Sequence, residues 1–312
     1  MESPFVSVVI PVYGVEKYIE KCLESCFSNT IAENCEFLII NDCSPDKSIE
    51  LAKKKIKKYP NITVKIISHE KNKGLAAARN TGLKYATGKY IINVDSDDWV
   101  DNIYLEKLYT KAEENHSDIV ICNLYKELEN KQELIELNMP ASKKFVEALL
   151  EESLPGWLFI KMFRLDFLRE NNITWIDGVN MCEDLILSVK AFSKTKRISF
   201  VDEALYHYNN TNPTSLSSKL SENKAIQLIT AVKEIESYLD DEKYNKSIIN
   251  LKCRIKVWIL KKIDIFNPKY VCLYNDDKLS KNKNISILNR LFFFLCEFKQ
   301  FKLIKIIVRL KG

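Results

Sequence analysis

The sequence predicts an α/β protein: a mainly parallel sheet flanked by helices, then a helical C-terminal extension. Three observations carry this expectation. Short β-branched runs alternate with stretches of helical periodicity through the first third of the chain. Those runs are apolar at nearly every position, as strands covered on both faces must be. Beyond about Leu220 only the helical period persists.

Val6-Ser-Val-Val-Ile-Pro-Val12 is the first strand by its near-continuous β-branched character, and Ile19, Cys22, Leu23 and Cys26 then repeat at helical spacing. Phe37 to Ile40, Thr63 to Ile67 and Tyr90 to Val94 read as strands, with Ile49 to Tyr59 and Leu75 to Ala86 as the intervening helices. Asp118 to Tyr125 reads as a further strand. In Glu183 to Thr195 the residues Leu185, Val189 and Phe192 share a helical face, and two short strands then end at Tyr206-His-Tyr208. Ile226, Ile229, Val232 and Ile235 form the stripe of a C-terminal helical region. A boundary is expected near Ser218. It divides 1–218, in halves 1–115 and 116–218, from an extension over 219–312.

The 312 residues are 46 % hydrophobic and 29 % charged, enough for a sizeable core and too apolar for a disordered chain. Net charge is +5, from 47 basic and 42 acidic residues, far from the clustered excess of a nucleic-acid binder. The Lys53 to Lys58 run reads as the solvated face of a helix, so no nucleic-acid partner is expected. Nine scattered cysteines contain no CxxC pair and read as reduced thiols of a cytosolic protein. Phe5 to Val12 is short and lacks a preceding basic stretch, which makes a poor signal peptide. Ile285 to Leu310 is apolar but interrupted by Arg290, Glu297, Lys299, Lys302, Lys305 and Arg309. Such a segment can lie on a bilayer and not span one.

In parallel sheets the ligand crevice lies beyond the carboxyl ends of the strands. Tyr13, Asn41-Asp42, His69 to Lys73 and Asp95-Ser-Asp-Asp98 occupy those positions. Asp95, Asp97 and Asp98 crowd three carboxylates into four residues, a repulsion that a divalent cation such as Mg²⁺ or Mn²⁺ relieves. The alternative is an acidic loop capping the helix near Tyr104. Asp42 can accept hydrogen bonds from a base or ribose, while Ser44 and Pro45 suit the N-cap and first residue of the next helix. In Asn72-Lys-Gly-Leu-Ala-Ala-Ala-Arg-Asn80, three alanines allow close packing on the sheet and Arg79 suits a diphosphate. There is neither a GxGxxG nor a GxxxxGK[ST] loop.

Ser7-Val-Val-Ile-Pro-Val-Tyr13, Asn41-Asp-Cys-Ser-Pro-Asp46, Gly74-Leu-Ala-Ala-Ala-Arg-Asn80 and Asp95-Ser-Asp-Asp98 together resemble the family 2 glycosyltransferases, over at least residues 5 to 218. Cys182-Glu-Asp-Leu185 resembles that family's Glu-Asp pair. The resemblance implies a GT-A fold, Rossmann-like, and transfer with inversion from a UDP-sugar to a hydroxyl of a glycan or lipid-linked glycan in surface polysaccharide biosynthesis. It implies that Pro11, Val12 and Tyr13 flank the uracil, that Asp42 bonds its polar edge, and that Arg79, Asp95 and Ser96 line the nucleotide. Asp97 and Asp95, with His207 from a closing loop made of Tyr206-His-Tyr208 and the polar run Asn209 to Ser218, would hold the metal, with Asp98 as a further candidate. Asp184, beside Glu183, would take the acceptor proton, with Trp157 and Lys161 on the acceptor side.

Two departures from the family pattern stand out. Asn41 replaces an Asp, and Cys43 replaces a Gly that would tolerate positive φ. A sugar nucleotidyltransferase is an alternative, but the Gly-rich nucleotide loop of that class is absent. A non-catalytic nucleotide-sugar-binding scaffold would be expected to lose Asp97 or Asp184. The expected location is cytoplasmic, with residues 285–312 either as a peripheral contact on the anionic inner face of the membrane or as a dimer-forming or core-packing helix.

Overall fold

The computed structural model describes residues 3–140, 144–213, 221–263, 268–274, 280 and 286–310. The chain begins β1 (Val6–Val12), α1 (Ile19–Phe27), β2 (Glu36–Asn41), α2 (Ser48–Ile56), β3 (Thr63–Ser68), α3 (Leu75–Tyr85), β4 (Tyr90–Asn93). It continues β5 (Trp99–Val100), α4 (Tyr104–Asn115), β6 (Ile119–Glu127), β7 (Gln132–Ile135), α5 (Phe145–Leu150), β8 (Lys161–Arg164), α6 (Leu165–Glu170), α7 (Glu183–Lys194) and β9 (Ile198–Asn209). Then come α8 (Glu222–Tyr238), α9 (Asn245–Lys262), α10 (Pro268–Val271), α11 (Ile287–Glu297) and α12 (Phe301–Leu310).

Two compact units emerge, Met1–Lys143 with Leu154–Pro213, and Lys144–Ser153 with Thr214–Gly312. The second unit therefore takes Lys144–Ser153 from within the stretch expected to form one domain. The reason is local. Leu149 and Leu150 are buried, Arg254 donates to the Leu150 carbonyl at 2.7 Å, and Ser247 donates to Glu151 at 2.8 Å.

In the first unit the strands lie in the order β3-β2-β1-β4-β8-β6-β9-β5, with β7 against β6. β3, β2, β1 and β4 are parallel neighbours, as are β6 and β9, while β8, β5 and β7 join antiparallel. All seven residues of β1 are buried, as a central strand requires. Pro11 lies beyond the last β1 residue paired with β4, Val9, where a missing N–H is tolerated. Ala76, Ala77 and Ala78 are buried on α3, and a Cβ on Gly82 would come within 2.3 Å of Val9, so α3 lies close against β1.

β9 is out of step with β6. Cys122 pairs with Val201, Asn123 with Ala204 and Leu124 with Tyr206, so β9 carries three extra residues across that stretch.

α2 starts at Ser48, close to the expected Ile49 and beyond the Ser44 cap that the sequence offered. Asp46, rather than Ser44, accepts from the Ser48 N–H at 3.1 Å, while the Ser44 hydroxyl accepts from the Gly14 N–H at 2.9 Å. Lys53 and Lys54 on this helix, and Lys57 and Lys58 just past its end, are exposed, but Lys55 is buried and pairs with Glu24 at 2.6 Å. Every described element of the second unit after α5 is helical, and Ser221 caps α8 by accepting from the Lys224 N–H.

Candidate active site

The carboxyl ends of β1, β2 and β4 bring Tyr13, Asp42 and Asp95 to one end of the sheet, as the strand order demands. At its centre is Arg79, on α3 and 1 % exposed. Its Nη2 donates to Asp95 at 2.9 Å and its Nη1 donates to Glu183 at 3.0 Å and to Asp184. Burial opposes the arginine's charge, but Asp184, Asp95 and Glu183 outweigh it and hold the guanidinium protonated. Burial pushes Asp95 up to about 6 against the pull of Arg79, and burial with Asp184 alongside pushes Glu183 well above the usual carboxylate range. Arg79 thus binds the β4 motif to the start of α7, whose Asp184 lies 105 positions from Arg79 in the chain.

Asp42 faces inward. It is 3 % exposed, and its oxygens accept from the Lys73 and Gly74 N–H groups at 2.8 Å each, with His69 Nδ1 at 2.6 Å. The other ring nitrogen of His69 lies 2.8 Å from the Thr81 hydroxyl. Asp42 therefore shapes the entrance to α3, where the sequence led us to expect a direct contact with the base. Gly74 has φ +90°, and a Cβ there would strike the Asn180 side chain at 2.4 Å. Asn180 accepts from the Ala76 N–H at 2.9 Å and so caps α3 from a distant segment. Cys43 does adopt φ +58°, the left-handed conformation that a glycine would occupy with less strain.

Asp98 is also inward. Tyr206 donates to it at 2.6 Å and the Asn209 N–H at 2.8 Å, and burial with Asp97 and Asp95 nearby pushes its carboxyl well up. The Asp95 N–H in turn donates to the Tyr206 hydroxyl at 3.2 Å. Ser96 is buried between the two aspartates, and Asp97 is half-buried, accepting from Asn212 at 2.7 Å.

Of the two residues expected to face an acceptor, Trp157 is 37 % exposed and stacks on Phe159 at 5.8 Å and Tyr208 at 6.3 Å. Phe159 also stacks on Tyr206 at 4.5 Å. Lys161 is fully buried, donating to the Pro155 carbonyl at 2.7 Å and to that of Trp157. Burial brings its ammonium down to about 7, with Asp184 opposing. It holds the loop that carries Trp157 and is not itself a surface for an acceptor.

His207 is a strand residue of β9, opposite Trp99 and Tyr125 in the register and stacked on both rings. Its Nδ1 lies 2.7 Å from Glu127. Side chains alternate along a strand, so His207 faces away from Tyr206 and Tyr208 and from the aspartates below them. This corrects the expectation of a metal-ligating loop histidine. Of the expected loop over Asn209 to Ser218, residues 214–218 lie outside the described residues.

The donor set suits Mg²⁺ or Mn²⁺ sparingly. Among the described residues no three His, Cys, Asp or Glu side chains converge as a metal cage. Asp97 and Asp95 each keep one carboxylate oxygen without a hydrogen-bond partner among the described residues. One or two carboxylates completed by substrate phosphates is the usual way such ions are held, and the pair fits that pattern.

Residues 7–181, more than half the chain, match the family model for glycosyl transferase family 2. The chain belongs to that family. Its relatives include a Bacillus subtilis protein described as uncharacterized glycosyltransferase EpsJ, 32 % identical over 69 % of this chain and 63 % of the relative. Another is the poly(ribitol-phosphate) beta-glucosyltransferase of Bacillus spizizenii, 32 % identical over 65 % of this chain and 32 % of the relative. The chain thus spans less than two thirds of either. Among solved structures, residues 1–349 of Staphylococcus aureus TarS in complex with UDP-GlcNAc superimpose with a TM-score of 0.78, at 19 % identity, over 98 % of this chain and 90 % of that one. The likeness shows the GT-A fold of this family 2 glycosyltransferase. Among its described residues no helix is long and apolar enough to cross a membrane.

Several participants in the site were not singled out from the sequence for the parts they play. Asn180 and Asn212 are lone amides in irregular stretches with no local signal. The partnership of Tyr206 with Asp98 follows from strand alternation, but only once the bulge in β9 is known.

Proposed function

We propose that this family 2 glycosyltransferase transfers a sugar from a UDP-sugar to a hydroxyl of a glycan or lipid-linked glycan in surface polysaccharide biosynthesis, with inversion and with the aid of Mn²⁺ or Mg²⁺. The observation that carries the reading is Arg79, whose one guanidinium fixes both Asp95, at the donor end of β4, and Asp184, at the start of α7. The names of the poly(ribitol-phosphate) relative and of the TarS complex with UDP-GlcNAc support the donor and the polymer class.

In a single displacement the acceptor oxygen bonds to the anomeric carbon as the bond to UDP breaks, and Asp184 takes the hydroxyl proton. Its Oδ2, 3.4 Å from the Leu158 N–H, is the oxygen that Arg79 leaves open. Proton removal of this kind contributes ~10²–10⁴-fold. Glu183 steadies the Arg79 side of the base. Pro11, Val12 and the exposed Tyr13 flank the uracil, Asp42 sets the backbone of Lys73 and Gly74 beneath it, and Ser96 keeps the aspartate turn closed. Trp157 offers the acceptor an aromatic face, and Lys161 fixes that residue's carbonyl from behind. The cation, held by Asp97 with Asp95 beside it, would offset charge on the departing diphosphate. The setting is cytoplasmic, with residues 285–312 in peripheral contact with an anionic membrane.

Calorimetry of UDP binding, with Mn²⁺ and with chelator, tests this on the wild type and on Asp97→Asn. Binding that needs both Mn²⁺ and Asp97 is the expected result. A folded wild type that binds no UDP under either condition overturns the donor assignment.

A further inference from the structure

α11 departs from the pattern of a surface helix. Phe292, Phe293 and Cys296 are buried on its inner side, yet its outer side is apolar as well. At 3.6 residues per turn, Ile287, Leu291, Phe294 and Phe298 fall within about 60° of one another. They are 76 %, 47 %, 48 % and 59 % exposed. On α12, Leu303 and Ile306 are exposed, while Ile304 and Ile307 turn inward. Seven of the twelve large apolar side chains exposed among the described residues lie on these two helices. A helix apolar all round belongs in a core, and this one has its outer stripe open to whatever meets it.

The charge around the stripe decides what that is. Residues 286–312 hold six cations and one acid, a net +5 equal to that of the whole chain, so the preceding 285 residues are balanced. Lys302 and Lys305 are exposed beside Ile306, and Lys299 stands at the turn between the helices. Lys299 adopts φ +51°, where a glycine would be less strained, so the tip of the hairpin carries a cation at some conformational cost. A second copy of the chain would bring its own Lys299, Lys302 and Lys305 to the same face, and that repulsion argues against self-association.

We propose that the outer face of α11 and α12 is a docking surface for anionic phospholipid, with the Ile287–Phe298 stripe set in the acyl boundary and Lys299, Lys302 and Lys305 at headgroup level. The inference deepens the peripheral contact proposed above by naming the face and the lipid chemistry, and it rests on that reading alone. The UDP site can fail its own test without affecting it.

The full-length protein is floated, without nucleotide, on vesicles of phosphatidylglycerol with phosphatidylcholine and on vesicles of phosphatidylcholine only. Each cation near an anionic surface strengthens binding roughly fivefold. The wild type is therefore expected to float with the anionic vesicles at least tenfold better than with the neutral ones. A Phe294→Ser/Phe298→Ser variant, altered only at exposed positions, loses flotation while keeping its circular dichroism and its response to UDP. A Lys299→Glu/Lys302→Glu/Lys305→Glu variant loses it likewise, and added salt weakens the wild type. Equal behaviour on both vesicle types, or no flotation, overturns the proposal. So does a wild-type dimer in light scattering that Phe294→Ser/Phe298→Ser turns into monomer, because the stripe is then an interface between copies.

Discussion

Replacing Arg79 with Met keeps only the apolar stem of the side chain and removes its charged fork, leaving Asp95, Glu183 and Asp184 around that stem. The carboxylates are 25 %, 10 % and 19 % exposed, so water screens them little. Each contact with the guanidinium amounts to ~4 kcal/mol at an effective dielectric of about 20, but mutual repulsion of the acids and their uptake of protons limit the loss. Removing one partner of a buried pair typically costs about 3–5 kcal/mol. We expect a loss in that range for Arg79→Met, with a melting temperature lower by roughly 10 °C. Thermal and urea unfolding at pH 7 measure it. The double variant Arg79→Met/Asp184→Asn should recover part of the loss, because asparagine removes a charge that has lost its counter-ion. An Arg79→Met protein within about 1 kcal/mol of the wild type, or a double variant whose losses simply add, would refute the argument that Arg79 is the electrostatic centre of the site.

Asp184→Asn should lower transfer by ~10²–10⁴-fold while UDP affinity changes little, read by single-turnover kinetics beside calorimetry. Lys161, lowered in the folded protein to about 7, binds fewer protons there than in the unfolded chain between pH 7 and its ordinary value. Its contribution to stability therefore rises with pH across that window, and the wild type should gain on Lys161→Met by about 1 kcal/mol per pH unit in urea midpoints between pH 7 and 9. Cys43→Gly should stabilise by up to about 1 kcal/mol, since the φ of +58° is free for glycine, and a lower urea midpoint would contradict the strain.

Much of the first unit was legible because its central strands are buried on both faces. β1, β2 and β4 show the uninterrupted apolar runs that such burial demands, and the residues just after them are the polar ones at the sheet's end. The carboxylates of β4 and α7 were legible as chemistry. Their common partner was not, because Arg79 looked like a diphosphate ligand and only the fold brings Glu183 and Asp184 to it. Asp42 misled for a similar reason. Its position after β2 is right for a nucleotide contact, but the close approach of α3 and His69 fills its oxygens from within. His207 was assigned by its type, and a strand's two-residue period then turned it to the other face. Lys144–Ser153 carries no compositional break from its neighbours, so its membership of the helical unit depends on long-range contacts such as that from Arg254.

The irregularity of β9 against β6 has a consequence of its own. Tyr206 reaches the aspartates, and the histidine turns away, only because an odd number of extra residues separates the two registers. What that short stretch encodes is a parity. Glu203, exposed there and paired at the surface with Lys107, is replaceable in kind yet not in number. A change in the length of this stretch keeps Tyr206 on the aspartates only if the number of extra residues stays odd.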